Sequence, residues 1–417
     1  MTNQKISVAR GGGPVIFLGT MNAMPMMYAM ELKKQGIDVL YFVDVSVDDK
    51  LSRPENHFPD ISYPYPNWII EMILRTQMVI PFLSPFFARK IASIVSRYSG
   101  KKPQAYVLSG FFVSLAPYLS KSAAVISLPH GSDLDSWADV AGAETLSERF
   151  VAYSIFRYIP RFLAKKAIRY VVGKQYVGFK SSNKVVYFPR GFSAHGDRVV
   201  NNLISAGVGY HERYDISFEP LLQQSREYKP QGDKLVVFSG VRFNFETFTE
   251  GNSEYNKGND KIIEGLSKFF KSNKNLEVHF VEKGPDVDKA KILCRQYGLD
   301  SVVVWHKEMA FKELLKLYER ADICFDQVGS HWIAAIGAYA LWLGKPLIAN
   351  DFLPVASGFW PKSNPVCSAT SADEVFGWLI KLSNDSYRRE VSSESKIFAE
   401  KYFSSEKVIS EVFELSV

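Results

Sequence analysis

The sequence predicts two successive doubly wound α/β domains, and three observations carry that expectation. Continuous apolar, β-branched runs alternate with segments of helical period, the pattern of a parallel sheet covered on both faces. The chain has 417 residues, beyond the usual single-domain size, which suggests two domains of about 150–200 residues each. The strand–helix pattern also lapses into a polar, mixed stretch at 199–232 and then starts again.

In the first half, PVIFLGT (14–20) is an apolar run ending in Gly and Thr, and MPMMYAMELKKQG (24–36) has helical spacing up to Gly36. VLYFVD (39–44) is the next strand, QAYVLSG (104–110) and AAVISLPHG (123–131) are further buried strands, and KVVYFPRGF (184–192) closes this half. In the second half, strands are expected at 234–243, 276–284, 301–308, 322–329 and 345–351. Helices are expected at 257–273, 286–298, 311–321 and 331–344, with a last helix near 384–415. The domain expectation is 1–200 for a first Rossmann-like domain, 201–232 for the connection, 233–383 for a second Rossmann-like domain, and 384–417 for a final helical segment. In such sheets ligands bind outside the carboxyl ends of the strands, so function is expected on the loops there, in a cleft between the domains.

Composition narrows the class. Hydrophobic residues make up 47% and charged residues 23%, enough apolar surface for true cores and too ordered a composition for a disordered chain. The cysteines, Cys294, Cys324 and Cys367, fit neither a zinc site nor a disulfide framework, so a reducing cytosol is the expected compartment. The start, MTNQKISVARGGG, lacks the apolar core of a signal peptide. The charge-free runs 11–30, 103–120 and 327–344 each contain Gly, Pro, Asn or His and read as strand–turn–helix units, not membrane spans.

The net charge of +6 is unevenly spread. Segments 63–102 and 148–174 carry +5 and +6, which leaves −5 for the rest of the chain. Both are rich in aromatic and aliphatic residues, including Trp68, Phe86, Phe87, Phe156 and Tyr158. Such stretches suit an anionic bilayer, where rings enter the headgroup layer and cations meet phosphates. The alternative is a pair of core helices with solvated basic faces. No helix-turn-helix, zinc or RNA-binding signature accompanies the charge, so nucleic acid is not expected.

The first strand is followed by GTMNAMP and not by GxGxxG, and Gly11–Gly13 precede that strand, so a nicotinamide fingerprint is absent. Walker A, HExxH and GxSxG patterns are also missing. The second half offers an anion site. Its first strand ends in GVR, with Arg242 at the strand end, and Lys257-Gly258-Asn259-Asp260 opens a helix. Two cations at a helix N-terminus can hold a diphosphate without a metal. DQVGSHW (326–332) supplies another helix start, with Gly329 for close backbone approach and Ser330 and His331 as donors.

With these residues in place, the chain resembles the GT-B glycosyltransferases, and in particular glycosyltransferase family 4 of bacterial polysaccharide biosynthesis. The resemblance rests on GVR…KGND, the WHKE loop, the strand DICFDQ, the run GSHWIAAIGAYALWLGKPLIAND and, in the first half, PHGSD (129–133). It implies a transferase that moves a sugar from a nucleotide diphosphate, as a UDP- or GDP-sugar, to a lipid-linked or nascent cell-surface glycan such as capsule, O-antigen or exopolysaccharide. Retention at the anomeric carbon, no cofactor and no metal are implied as well, with the acceptor bound by domain 1–200, the nucleotide sugar by domain 233–383, and segment 384–417 forming a helix that packs back on the first domain. By the same resemblance Arg242, Lys257, Gly329 and Ser330 hold the donor diphosphate. Trp305, His306, Lys307, Glu308 and Tyr339 border the base or ribose, and Gly19, Thr20 and Asn22 form an acceptor loop. His130, Asp133 and His331 are the catalytic candidates, and Asp326 is a possible compensating carboxylate. The family's pair of glutamates, counted back from Gly344, falls at His331 and Tyr339. A histidine can still hydrogen-bond a sugar and a tyrosine can donate to a ribose, but neither supplies a carboxylate. The expected setting is the cytoplasmic face of the plasma membrane, with peripheral attachment. The alternatives are a non-catalytic GT-B glycan-binding or partner protein and a nucleotide-sugar epimerase.

Overall fold

The computed structural model of the chain describes residues 5–49, 51–58, 60–153, 155–213, 232, 234–247, 256–329 and 333–416. The chain divides into two units. The first comprises Met1–Glu55, Asp60–Tyr214 and Ser405–Val417, and the second Asn56–Pro59 and Asp215–Ser404.

The first unit opens with β1 (Ile6–Ala9), which stands outside the main sheet. Then come β2 (Val15–Leu18), β3 (Val39–Val43), β4 (Ile69–Glu71), β5 (Ala105–Leu108), β6 (Ala124–Ser127), β7 (Lys184–Tyr187) and β8 (Gly209–Glu212). Among the described residues these form one sheet in the order β4-β3-β2-β5-β6-β7-β8, every pair parallel. The residues of β2, β3 and β5 are all buried, as the uninterrupted apolar runs require when helices cover both faces. The order reverses between β2 and β5, and this switch point is where such a sheet leaves a crevice at its carboxyl edge.

The second unit repeats the plan with β9 (Leu235–Ser239), β10 (Leu276–Val281), β11 (Val303–His306), β12 (Ile323–Phe325), β13 (Leu347–Ala349) and β14 (Cys367–Ser368). Their order is β11-β10-β9-β12-β13-β14, all parallel, with the switch point between β9 and β12. Its core brings Val237, Val278, Phe280, Ile323 and Phe325 against Ile262, Ile263 and Leu266 of the helix Asn259–Ser272. The expected doubly wound α/β architecture is therefore present in both units.

Two boundaries differ from expectation. The first sheet does not close at 184–192. The stretch from 199, read as a connection, begins with the end of a helix, Ala194–Ser205, whose first turn is capped by Ser193 and which buries Val199, Val200 and Leu203. β8 follows at the sheet edge, where a strand is half-exposed and carries no apolar run. Residues 214–231 of the expected connection lie outside the described residues.

The expected terminal helix is three elements. The helix Asp385–Tyr402 stays with the second unit, packing on the helix Ala335–Trp342 and setting Phe398 edge-on against Trp360 at 5.0 Å. Only the helix Ser405–Val412 and β15 (Phe413–Ser416) cross back to the first unit. There β15 pairs in parallel with β1, Ser405 donates to Glu31 at 3.3 Å, and His211 meets Glu411 at 3.3 Å.

The two basic segments each bury a stripe. The helix Ser84–Ser99 buries Phe87, Ala88, Ile91 and Val95, and the helix Arg161–Lys180 buries Ala164, Ile168, Val172 and Phe179. Trp68 and Phe87 therefore belong to the core and are not available to a surface, whereas Phe86 and Tyr158 are 60% and 75% exposed. The side chain of Phe156 lies outside the described residues. No helix among the described residues is long and apolar enough to cross a membrane.

Candidate functional site

In the first unit the loops after β2, β3, β5 and β6 are tied together by buried carboxylates. Gly19 has φ +97°, and a Cβ there would lie 2.6 Å from the Ser109 carbonyl. Only glycine lets the two loops meet across the switch point. Thr20 is buried, and its amide and hydroxyl donate to Asp44 at 3.1 and 2.7 Å, while Gln77 donates to the other oxygen of Asp44. Asn22 and Ala23 both have positive φ, a conformation side chains seldom adopt outside functional loops. The expected acceptor loop is thus a rigid, strained turn whose threonine is already engaged.

His130 and Asp133 follow β6. Asp133 is buried and accepts from the amides of His130 at 2.9 Å and Gly110 at 3.2 Å, so it clamps the turn that carries His130. Gly110 is held in turn by Gln175 of the helix Arg161–Lys180, whose amide nitrogen donates to its carbonyl at 3.0 Å. Burial pushes the Asp133 carboxyl up to about 6, with the two amides and Arg213 opposing and Asp135 reinforcing. Arg213 is the member of this cluster that the sequence reading did not single out. It is buried just after β8, donates to the Tyr28 hydroxyl at 3.1 Å and to the Pro129 carbonyl, and lies 3.0 Å from Nδ1 of His130. The signal for it was the GYHER run behind Gly207, a short edge strand ending in a cation.

The Asp133 shift has a stability consequence. A carboxyl whose folded pKa is raised favours the folded state most below the unfolded value near 4 and loses that contribution as pH rises through about 6. Wild type should therefore lose about 2–3 kcal/mol of stability relative to Asp133→Asn between pH 4 and 7.5, as read by chemical denaturation. A difference independent of pH would show that Asp133 titrates at its ordinary value.

In the second unit Arg242 and Lys257 come together at the β9/β12 switch point. Arg242 is exposed, lies over Gly284, and has no ion-pair partner among the described residues. The Lys257 ammonium has its pKa lowered first by burial, with Asp326 opposing and Arg242 reinforcing. The loop is fixed by Lys257 N–H to the Asn244 carbonyl, at 2.8 Å, and by Val328 N–H to the Lys257 carbonyl, at 3.1 Å. The helix Asn259–Ser272 then begins at Gly258 with no side-chain cap, leaving its first amides for an outside acceptor. The close approach that Gly329 permits is to the chain itself, because a Cβ there would lie 1.9 Å from the Asn256 carbonyl.

The second expected helix N-terminus is not open in the same way. The helix starts at Ala335 and not at 331, and Asp326 accepts from the amides of Ala334 and Gly337 at 2.5 and 3.2 Å. A buried carboxylate already compensates the dipole there. Ser330 and His331 lie outside the described residues.

Of the expected base loop, Trp305 packs on Phe243 and Phe280 at 5.4 and 5.3 Å. Nε2 of His306 lies 2.8 Å from Nδ1 of His279, Lys307 pairs with Glu282, and Glu308 pairs with Lys283 at 3.3 Å. Tyr339 is buried, its ring centroid 4.8 Å from that of Phe311, a core position and not an open rim. Among the described residues no cluster of three or more His, Cys, Asp or Glu could hold a metal ion.

No protein-family profile matches the sequence, and no curated protein matches it as a relative. Solved structures do match. The chain is similar to sucrose-phosphate synthase from Thermosynechococcus elongatus at 12% identity and a TM-score of 0.55, over 96% of this chain and 97% of that one. It is equally similar to HepE from Anabaena, solved with UDP and glucose, at 12% and 0.55 over 96% and 98%. A putative UDP-N-acetylglucosamine 2-epimerase from Listeria monocytogenes follows at 10% and 0.54, over 98% and 94%. At these identities the likeness shows the fold, two Rossmann-like domains of the GT-B type.

Proposed function

We propose that this protein is a glycosyltransferase that takes a sugar from a nucleoside diphosphate and passes it to a lipid-linked or nascent cell-surface glycan. The observation that carries the reading is the pair Arg242 and Lys257 beside the uncapped helix at Gly258, on the carboxyl edge of the second sheet. Two cations and open amides stabilise the charge that develops on a leaving diphosphate. They do so without a metal, and the family 4 resemblance adds retention at the anomeric carbon. His130 on the first unit belongs to the sugar and acceptor side. The fold likeness to HepE, solved with UDP and glucose, agrees with a UDP-sugar donor.

The acceptor reading rests on the surface of the first unit. Phe82 stacks on Tyr170 with ring centroids 5.1 Å apart, so the two basic segments share one face. Around that contact Leu83, Phe86, Phe162 and Leu163 are exposed, and Lys174 lies over Tyr170. Arg157, Arg161 and Lys166 are exposed as well. Lys165 is not free for lipid, since it pairs with Glu144 and Glu148 at 2.9 and 2.6 Å. Exposed rings among cations suit a headgroup layer, and the proposed location is the inner face of the plasma membrane.

The test is transfer itself. Purified protein, incubated in EDTA with a labelled UDP- or GDP-sugar and a lipid extract, should release nucleoside diphosphate and move label to the lipid fraction in equal amounts. Donor returned unchanged after binding would make this a binding protein, and sugar inverted at one carbon without an acceptor would make it an epimerase, the activity named for the Listeria structure. A strict Mn²⁺ or Mg²⁺ requirement would contradict the diphosphate site described above.

A further inference from the structure

We infer that Arg213 is a positioning residue that holds His130 as the neutral, Nε2-protonated imidazole, so that His130 serves as a hydrogen-bond donor to a substrate oxygen and not as a general base. The functional half of this inference rests on the transferase reading; the state of the ring does not.

A guanidinium carries only donors. With Nη2 of Arg213 at 3.0 Å, Nδ1 of His130 has to accept. The single proton of the neutral ring is then on Nε2, which is buried and meets no protein partner among the described residues. A buried donor left without an acceptor is destabilising, a cost that a bound oxygen removes. Arg213 is itself fixed from several sides. Its backbone amide donates to the Tyr187 carbonyl at 2.8 Å, Tyr28 and Pro129 accept from its guanidinium, and its head lies over Phe188.

The charged and titratable groups around the pair, among the described residues, are Tyr28, Asp133, Asp135, Tyr187 and Tyr210. Asp133 clamps the His130 amide and leaves the ring to Arg213. Burial and the adjacent cation both disfavour an imidazolium. A ring that cannot take a second proton near neutral pH, and whose outer nitrogen already carries one, cannot accept a proton from an acceptor hydroxyl. It can donate to a sugar or acceptor oxygen, and Arg213 ensures that it does so in one tautomer.

Long-range ¹⁵N–¹H spectra of histidine-labelled full-length protein, with the signal assigned by its loss in His130→Gln, test the ring state without substrate. The expected result is an Nε2-protonated ring that does not titrate between pH 5.5 and 8.5. In Arg213→Met the same ring should mix its tautomers and titrate at a higher pH than in the wild type, with burial still holding it below the ordinary histidine value, and Arg213→Lys should restore part of the wild-type signature. If Arg213→Met does not fold, the wild-type spectrum alone decides. A wild-type ring that is Nδ1-protonated, or that titrates near 6.5, overturns the inference. In turnover, Arg213→Met should lower kcat about tenfold, the worth of one lost hydrogen bond, with the donor KM within about twofold. An unchanged kcat with an altered ring overturns the functional half. A wild type without transfer activity would refute the transferase reading and leave the ring measurement standing.

Discussion

Arg242→Ala and Lys257→Ala each lower nucleoside-diphosphate affinity and turnover by about ten- to hundredfold, the worth of one charge-assisted contact to phosphate. The two differ in character. Arg242 is exposed and unpaired among the described residues, so its removal leaves the fold intact and acts on binding. Lys257 is half-buried and feels the charge of the buried Asp326, so its loss also removes a cation that offsets that carboxylate, and some stability goes with it. Lys257→Arg would keep the charge but not the shape of a point ammonium. Calorimetric affinities, with circular dichroism as the folding control, separate the two effects. Equal, unperturbed binding in both variants would place the diphosphate elsewhere.

A second large effect is expected at the surface where Phe82 and Tyr170 stack. Wild type should co-sediment with anionic liposomes, bind neutral ones more weakly, and come off only in part with salt. Each cation near the surface contributes about 1 kcal/mol, screened within a Debye length, whereas ring insertion is not screened. Phe86→Ser combined with Phe162→Ser removes two exposed rings, each worth about 1.5 kcal/mol or more in an apolar layer, so affinity falls at least about a hundredfold. Arg157, Arg161 and Lys166 changed together to Glu should release the protein while sparing nucleotide binding. Lys165 is left alone because its two glutamate partners make it structural. Wild type that ignores anionic vesicles would leave the lipid-linked acceptor without its main support.

What the sequence revealed follows from where each element sits. β2, β3 and β5 are buried on both faces, so their apolar runs are unmistakable. β8 is an edge strand with half-exposed residues, and its sequence reads as loop. That concealed Arg213, whose proposed role depends on a fold contact with His130, 83 residues earlier in the chain. The proximity of Arg242 and Lys257 was legible because one follows a strand and the other precedes a helix at the same edge of the sheet. The role of Asp326 as the cap of the helix at Ala335 was not, because a carboxylate behind a strand looks the same whether it faces a ligand or its own helix. Tyr339 occupies the position counted for a motif glutamate, yet it packs on Phe311 within a run of apolar residues. Position in a motif does not reveal whether a side chain points to a rim or a core.

The most direct test of the central claim is a thermal-shift titration of the wild type with UDP, GDP, ADP and CMP in EDTA, repeated with Arg242→Ala. Selective binding raises the apparent stability by mass action, about 2.7 kcal/mol at a hundredfold excess over Kd. The account predicts that one nucleoside diphosphate raises the midpoint, that CMP does not, and that the shift largely disappears in the variant. No shift with any diphosphate, or a shift that Arg242→Ala leaves unchanged, would contradict it.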